Sequence, residues 1–311
     1  MYSGASSTSC TPLADPPIGV LLMAYGTPAT PADVEAYYTH VRRGRPPTPE
    51  QLADLQRRYE AIGGTSPLLE RTEAQRRGVQ AALDGHGQFR VVLGMKHAPP
   101  FIEDAVERVV EGGSSRAVGV VLAPHYSRLS VGEYEERARA AAGDRLDVTM
   151  VQSWHDAPAY LDALSERVQK ALATLPERSE VVFTAHSLPA RIVAEGDPYP
   201  DQLRATAEAV AAQAGVARWR VAWQSAGRTP EPWLGPDIGE VLGQLAAAGE
   251  VEGVLVCPAG FTSDHLEILY DLDVEARARA GELGLAFART ESLNDDPRLC
   301  EAVAGAVLAR V

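Results

Sequence analysis

Val181-Val-Phe-Thr-Ala-His-Ser-Leu-Pro189 echoes the earlier stretch Val20-Leu-Leu-Met-Ala-Tyr-Gly-Thr-Pro28. Each is an apolar run that closes on Ala, a ring, a small residue and then Pro. A second pair follows in the same order, Gly119-Val-Val-Leu-Ala-Pro124 and Gly253-Val-Leu-Val-Cys-Pro258. Apolar runs of this length, bounded by Gly and Pro, read as strands buried on both faces of a parallel sheet. Two matched pairs in one order imply an internal duplication with a period near half the chain. The fold class follows: α/β, with two similar doubly wound, Rossmann-like domains whose parallel sheets face one cleft. Ligands of such sheets sit beyond the carboxyl ends of the strands, so Tyr25, Lys96, His97, His125, His186 and Glu267 are expected to line that cleft.

Working outward, Thr48-Pro49-Glu50-Gln51 is a capping box with Pro at the first helical position, and Gly63-Gly64 stop the helix it begins. Helices are expected at about 71–84, 101–112 and 131–142 and from 158 to about 175, with strands at 89–93 and 148–152 between them. The first domain then spans 17–174 and the second 175–288, and a last helix within 289–311 packs back on the first. Residues 1–16 are rich in Ser, Thr, Gly and Pro, with neither a positive start nor an apolar core, and read as a disordered tail. Residues 223–237 form a long loop, which Trp223 and Trp233 favour as an ordered one.

A net charge of −13 over 311 residues, with no basic run beyond Arg42, Arg43 and Arg45, argues against a nucleic-acid partner. The longest apolar run, 18–24, is too short to span a bilayer, so no integral membrane segment is expected. Cys10, Cys257 and Cys300 lie far apart, which indicates neither a disulfide framework nor a structural zinc or iron–sulfur site and fits a reducing cytoplasm. Neither a Gly-x-Gly-x-x-Gly fingerprint nor a P-loop supports a nucleotide.

His186 ends a strand, where an imidazole can act as base or metal ligand. The alternatives are a helix cap or a ring bonded to a loop carbonyl. Ser263-Asp-His-Leu-Glu-Ile-Leu-Tyr-Asp-Leu-Asp-Val-Glu275 carries a row of acids: in a helix begun at Asp264, Glu267, Asp271 and Glu275 share one face, with Leu269, Leu272, Ala276 and Ala280 roughly opposite. Asp264 and Glu267 have capping-box spacing, and on spacing alone the row reads first as a solvated face. After a buried strand and across from His186 it reads as a site, the nitrogen and oxygen donors suiting an intermediate divalent metal such as Fe2+. Tyr25 reads as an aromatic wall or a phenol ligand. Arg42, Arg43, Arg45 and Arg58 read as solvated helix ends or as forks for the carboxylates of a flat ligand.

Eight ordered motifs, 23–28, 37–45, 58–68, Ala-His-Ser-Leu-Pro at 185–189, 196–203, Trp-Gln-Ser at 223–225, Pro-Trp-Leu-Gly-Pro at 232–236 and Asp-His-Leu-Glu at 264–267, resemble the ferrochelatases. The likeness is strongest to the soluble, monomeric, Gram-positive-type coproporphyrin ferrochelatases and runs from residue 18 to the end of the chain. It implies a chelatase-type fold and insertion of Fe2+ into coproporphyrin III with loss of two protons, in haem biosynthesis. It implies His186 as the catalytic histidine, with Glu267 beside it at the metal. Tyr25 is implied as axial to the product iron, and Arg42, Arg58, Tyr59, Ser66 and Tyr134 as porphyrin contacts, while Lys96 joins them from its place at a strand end. Asp271 and Glu275 are implied to hold or conduct a second hydrated cation. Fe2+ is thus a substrate, and no cofactor or iron–sulfur cluster is expected. The protein is expected to be a cytoplasmic monomer that passes its product to a transient partner. The competing readings are a protoporphyrin IX ferrochelatase, a sirohydrochlorin chelatase, and a non-catalytic tetrapyrrole or metal carrier on the same scaffold.

Overall fold

A computed structural model describes residues 16–227 and 229–311, so the expected tail lies outside the described residues apart from Pro16. Among the described residues, eight parallel strands form two sheets of four. The first contains β1 (Ile18–Ala24), β2 (Phe89–Met95), β3 (Arg116–Val121) and β4 (Asp147–Met150), in the order β2-β1-β3-β4. The second contains β5 (Ser179–His186), β6 (Trp219–Gln224), β7 (Gly253–Cys257) and β8 (Ala286–Arg289), in the order β6-β5-β7-β8. The two orders are the same, and the sequence echoes are the two central strands of each sheet. Register agrees: Met23 lies opposite Gly94 and Val121, and Phe183 opposite Val221 and Cys257.

The helices of the first half are α1 (Val34–Val41), α2 (Pro49–Ala61), α3 (Leu68–Leu83), α4 (Ile102–Glu111), α5 (Val131–Ala142) and α6 (Pro158–Leu172). Those of the second are α7 (Arg191–Ala194), α8 (Tyr199–Ala214), α9 (Ile238–Ala248), α10 (Leu266–Leu269), α11 (Arg277–Glu282) and α12 (Pro297–Leu308). α2 starts where its capping box directs: Thr48 Oγ1 accepts from the Gln51 amide at 3.3 Å, and the Gln51 side chain accepts from the Thr48 amide at 3.0 Å. Trp223 belongs to β6, so the long loop carries only Trp233. Its described part is tied down by backbone pairing of Pro189 with Trp233 and of Trp223 with Asp237.

Three apolar layers hold the sheets. One cluster covers the outer face of the first sheet, with Leu21, Met23, Val106 and Ala138, and another the outer face of the second, with Val182, Val254, Leu242 and Leu272. Between the sheets runs a single larger cluster holding Val20, Leu22, Val181 and Phe183 together with Trp154, Tyr160 and Val303. Helices cross over to build it. α6 packs on α8 and β7 of the second sheet, and α12 returns to α3 of the first. Tyr160 on α6 is fully buried, its hydroxyl donating to the Ala259 carbonyl at 2.5 Å. Truncating such an aromatic to Ala costs about 3–5 kcal/mol.

Candidate active site

The carboxyl ends of both sheets open on a cavity of about 610 Å3 between them, and Tyr25, Lys96, His97, His125, His186 and Glu267 all line it. Gly26, directly after Tyr25, has φ +94°, and a Cβ there would stand 2.9 Å from the Ala98 amide nitrogen. Glycine therefore lets the chain turn away and leave the Tyr25 ring at the rim. On the other side Gly260 lies so close to β5 that a Cβ would sit 2.4 Å from that of Ala185, the residue before His186.

His186 donates from Nδ1 to the Ser187 carbonyl at 2.5 Å, which fixes the neutral ring's tautomer and leaves Nε2 facing Glu267, 3.6 Å from Oε1. His265 mirrors it: Nδ1 lies 3.1 Å from the Ser263 carbonyl, and Nε2 is 3.7 Å from Glu267 Oε2. The carboxylate is thus flanked by two imidazoles. Burial opposes its ionisation, but His186 first and then His265 outweigh that and hold its carboxyl well below the usual range. Although open to the cleft, the His186 ring is enclosed by protein on a larger scale. That desolvation disfavours its charge, but the Glu267 carboxylate more than reverses the effect and raises its pKa.

Across the cavity, the Tyr25 ring packs 4.6 Å from that of His97, whose Nδ1 lies 3.0 Å from Nδ1 of His40. Burial, followed by the charge of Lys96, pushes His97 down to about 3, so its ring is neutral at physiological pH. Burial and then Glu267 raise the Tyr25 phenol above its ordinary 10.0. Lys96 pairs with Glu133 and lies 5.1 Å from the centre of the buried Tyr134 ring, and Arg43 also reaches Glu133, at 3.1 Å. His125 forms part of the floor. Its Nε2 is 3.0 Å from the Thr206 hydroxyl, whose proton goes to the His155 carbonyl, so Nε2 is the protonated nitrogen. Burial pushes it down to about 3, which makes it a neutral wall and a poor base.

The acid row departs from the expected regular helix. α10 starts at Leu266, not Asp264, and gives way to a π-helical stretch, Asp271–Ala276, before α11. Asp264 caps nothing: its carboxylate accepts from Ser292 at 2.7 Å, Asn294 at 2.9 Å and Arg289 at 3.3 Å. The row still shares a face and runs outward, since Glu267, Asp271 and Glu275 line a side cavity of about 440 Å3. Glu267 borders both cavities, and Glu275 is exposed. Leu272, Ala276 and Ala280 are buried behind it. Burial first, then the Glu267 charge, raises Asp271 from 3.8 to about 6, although Ser225 donates to it.

Arg58 lies over this row, 3.3 Å from Asp271, 3.4 Å from Asp54 and 3.7 Å from Glu275, with its guanidinium 4.9 Å from the Tyr270 ring centre. The arginines therefore do not form one group. Arg43 has φ +56°, so the chain reverses beside it: Arg43 turns to the cavity while Arg42 stacks 5.6 Å from the Tyr38 ring. Tyr59 and Ser66 line a smaller recess of about 170 Å3 that also touches Tyr25 and Glu267. The Tyr59 hydroxyl is 3.3 Å from that of Thr27, and burial pushes it up to about 12. Glu133 and His265 were not singled out from the sequence. Glu133 has only long-range partners to reveal it, whereas His265 stood inside the Asp-His-Leu-Glu motif.

The ferrochelatase family profile matches residues 17–311. Over 301 residues the chain is 47% identical to the coproporphyrin III ferrochelatase of Geobacillus kaustophilus (strain HTA426), covering 94% of this chain and 95% of that one. To the coproporphyrin III ferrochelatase of Bacillus subtilis (strain 168) it is 43% identical over 303 residues, covering 94% and 98%. In fold it is similar to the sirohydrochlorin chelatase SirB of Bacillus subtilis subspecies spizizenii, with a TM-score of 0.56 at 13% identity over 94% of this chain and 95% of that. Two duplicated sheets, a ring at the end of each first strand, and profile and relatives that span nearly the whole chain lead to one conclusion: this protein belongs to the ferrochelatase family.

Proposed function

We propose that the protein is a coproporphyrin III ferrochelatase, which inserts Fe2+ into coproporphyrin III and releases two protons. The observation that carries this reading is Glu267, an ionised carboxylate between two imidazoles of fixed tautomer at the junction of a large cavity and an acid-lined side cavity. A carboxylate held ionised attracts a divalent cation, and nitrogen with oxygen donors suits Fe2+. The two pyrrole N–H protons need an acceptor as the metal enters. Nε2 of His186, with Nδ1 committed to a backbone carbonyl and its basicity raised by Glu267, suits that task. A planar macrocycle has to bend to present its nitrogens, and walls from two domains can use binding of its rim for that distortion.

Four carboxylates on the guest favour coproporphyrin, because Arg43, Lys96 and Arg137 all border the cavity. In this reading Asp271 and Glu275 form the path of the hydrated cation, Tyr25 meets the iron of the product, and Arg42, Arg58, Tyr59, Ser66 and Tyr134 meet the macrocycle. Among the described residues no helix is long and apolar enough to cross a membrane. In this reading the protein works in the cytoplasm as a monomer and hands its product to an acceptor by transient contact. The test is anaerobic fluorescence: at catalytic protein concentration, added Fe2+ should extinguish coproporphyrin III emission over many turnovers. Stoichiometric quenching alone makes the protein a carrier, and preference for protoporphyrin IX in a parallel run reassigns the substrate.

A further inference from the structure

Among the residues that hold the turn delivering His265 and Glu267 is Asn294, which sits in the loop after β8. Its φ of +48° belongs to the left-handed region, uncommon for a side chain and tolerated best by Asn and Asp. In that conformation all four of its polar groups are used. The Asn294 amide donates to the Thr262 carbonyl at 2.8 Å, and its own carbonyl accepts from Gln75 Nε2 at 2.8 Å. Its side chain accepts from the Asp264 amide at 3.0 Å and donates to the Asp264 carboxylate at 2.9 Å. The contacts therefore fall on either side of Ser263. The Ser263 carbonyl is the acceptor that fixes the His265 tautomer, and the Ser263 hydroxyl accepts from Gln75 at 2.8 Å. Gln75 is fully buried on α3 and reaches across from the first domain.

We infer that Asn294 is a positioning residue for metal insertion. Clamping 262–264 on both sides of Ser263, it aims that carbonyl at His265 Nδ1 and so keeps Nε2 turned to Glu267. This rests on the chelatase reading for its effect on turnover but not for its effect on the ring. A displacement of about 1 Å in such a constellation costs on the order of a hundredfold in rate. Only one interaction separates Asn294 from His265, and none involves the macrocycle, so the loss should fall on kcat.

Three variants of the full chain test it. Asn294→Gly keeps the left-handed backbone without strain but loses both side-chain bonds to Asp264. It should lower kcat at least tenfold while KM for coproporphyrin III stays within about twofold. Asn294→Asp keeps the shape but sets two carboxylates against each other and should lose as much. Pairing it with Asp264→Asn restores donor to acceptor and should recover kcat to within about threefold of the original. Nitrogen-15 NMR of the metal-free protein reads the ring directly: His265 should be the Nδ1–H tautomer in the original and a mixture in Asn294→Gly. An unchanged His265 tautomer in Asn294→Gly overturns the inference, as does a double variant no better than Asn294→Asp. If the original protein fails to turn over but the tautomer still shifts, it is the chelatase reading that fails.

Discussion

Asp271→Asn should make the protein more stable and a worse catalyst, and the stability gain should depend on pH. Asp271 is only 9% exposed, so its charge is poorly screened. Folding raises its carboxyl from 3.8 to about 6, chiefly by burial and then by the Glu267 charge. A carboxyl whose pKa rises on folding stabilises most below its unfolded value, and that contribution is lost as pH climbs through the folded one. Above pH 6 the ionised group therefore costs the native state about 3 kcal/mol relative to its neutral form. Asn has the shape of the neutral acid and escapes this cost. At pH 7.5 the variant should gain about 3 kcal/mol as an upper bound, or about 4–5 °C in Tm for a chain of 311 residues. At pH 4.5 most of the original protein's Asp271 is protonated in the fold, and the gain should shrink to about 1 kcal/mol. Scanning calorimetry of both proteins between pH 4.5 and 8 measures it. A Tm difference of equal size at every pH, or a less stable variant at pH 7.5, refutes the reasoning.

Other perturbations separate the parts of the site. His186→Ala should abolish insertion and leave coproporphyrin binding, followed by its absorbance shift, largely intact. Glu267→Gln removes the charge that raises His186 and leaves burial to dominate, so the acid limb of the residual kcat/KM profile should move to lower pH; a stationary limb would separate His186 from proton uptake. Neutralising Asp271 and Glu275 together should raise KM for Fe2+ and leave that for the porphyrin alone, as steady-state titration of each substrate would reveal. Gly227→Ala would bring a Cβ to 2.3 Å from the Trp233 ring, which lines the cavity, so tryptophan emission should shift and KM for the porphyrin rise.

Much of this was legible in the chain because buried parallel strands announce themselves. The runs ending at Tyr25 and His186 are apolar but for Thr184, and strand order then fixes where their rings point. An edge strand without alternation does not announce itself. β8, Ala286–Arg289, is only half-buried and mixes Arg with Phe, so no alternation marks it. The start of α10 was misplaced because Asp264, a good cap by type, is claimed by Ser292, Asn294 and Arg289, roughly thirty residues away. His265 is hidden for the same reason: its alignment depends on a loop whose shape no local spacing records. The ion pairs of Arg58 are equally hidden, since its guanidinium reaches Asp271 across 213 residues of chain and also touches Glu275.

The single apolar layer between the sheets bears on who does the bending when a flat guest arrives. Close-packed interiors yield little under load. With α6 and α12 exchanged across that layer, the strand ends bearing Tyr25 and His186 stand on one continuous solid, not on two bodies joined by a hinge. The jaws keep their spacing, and the strain falls on the macrocycle.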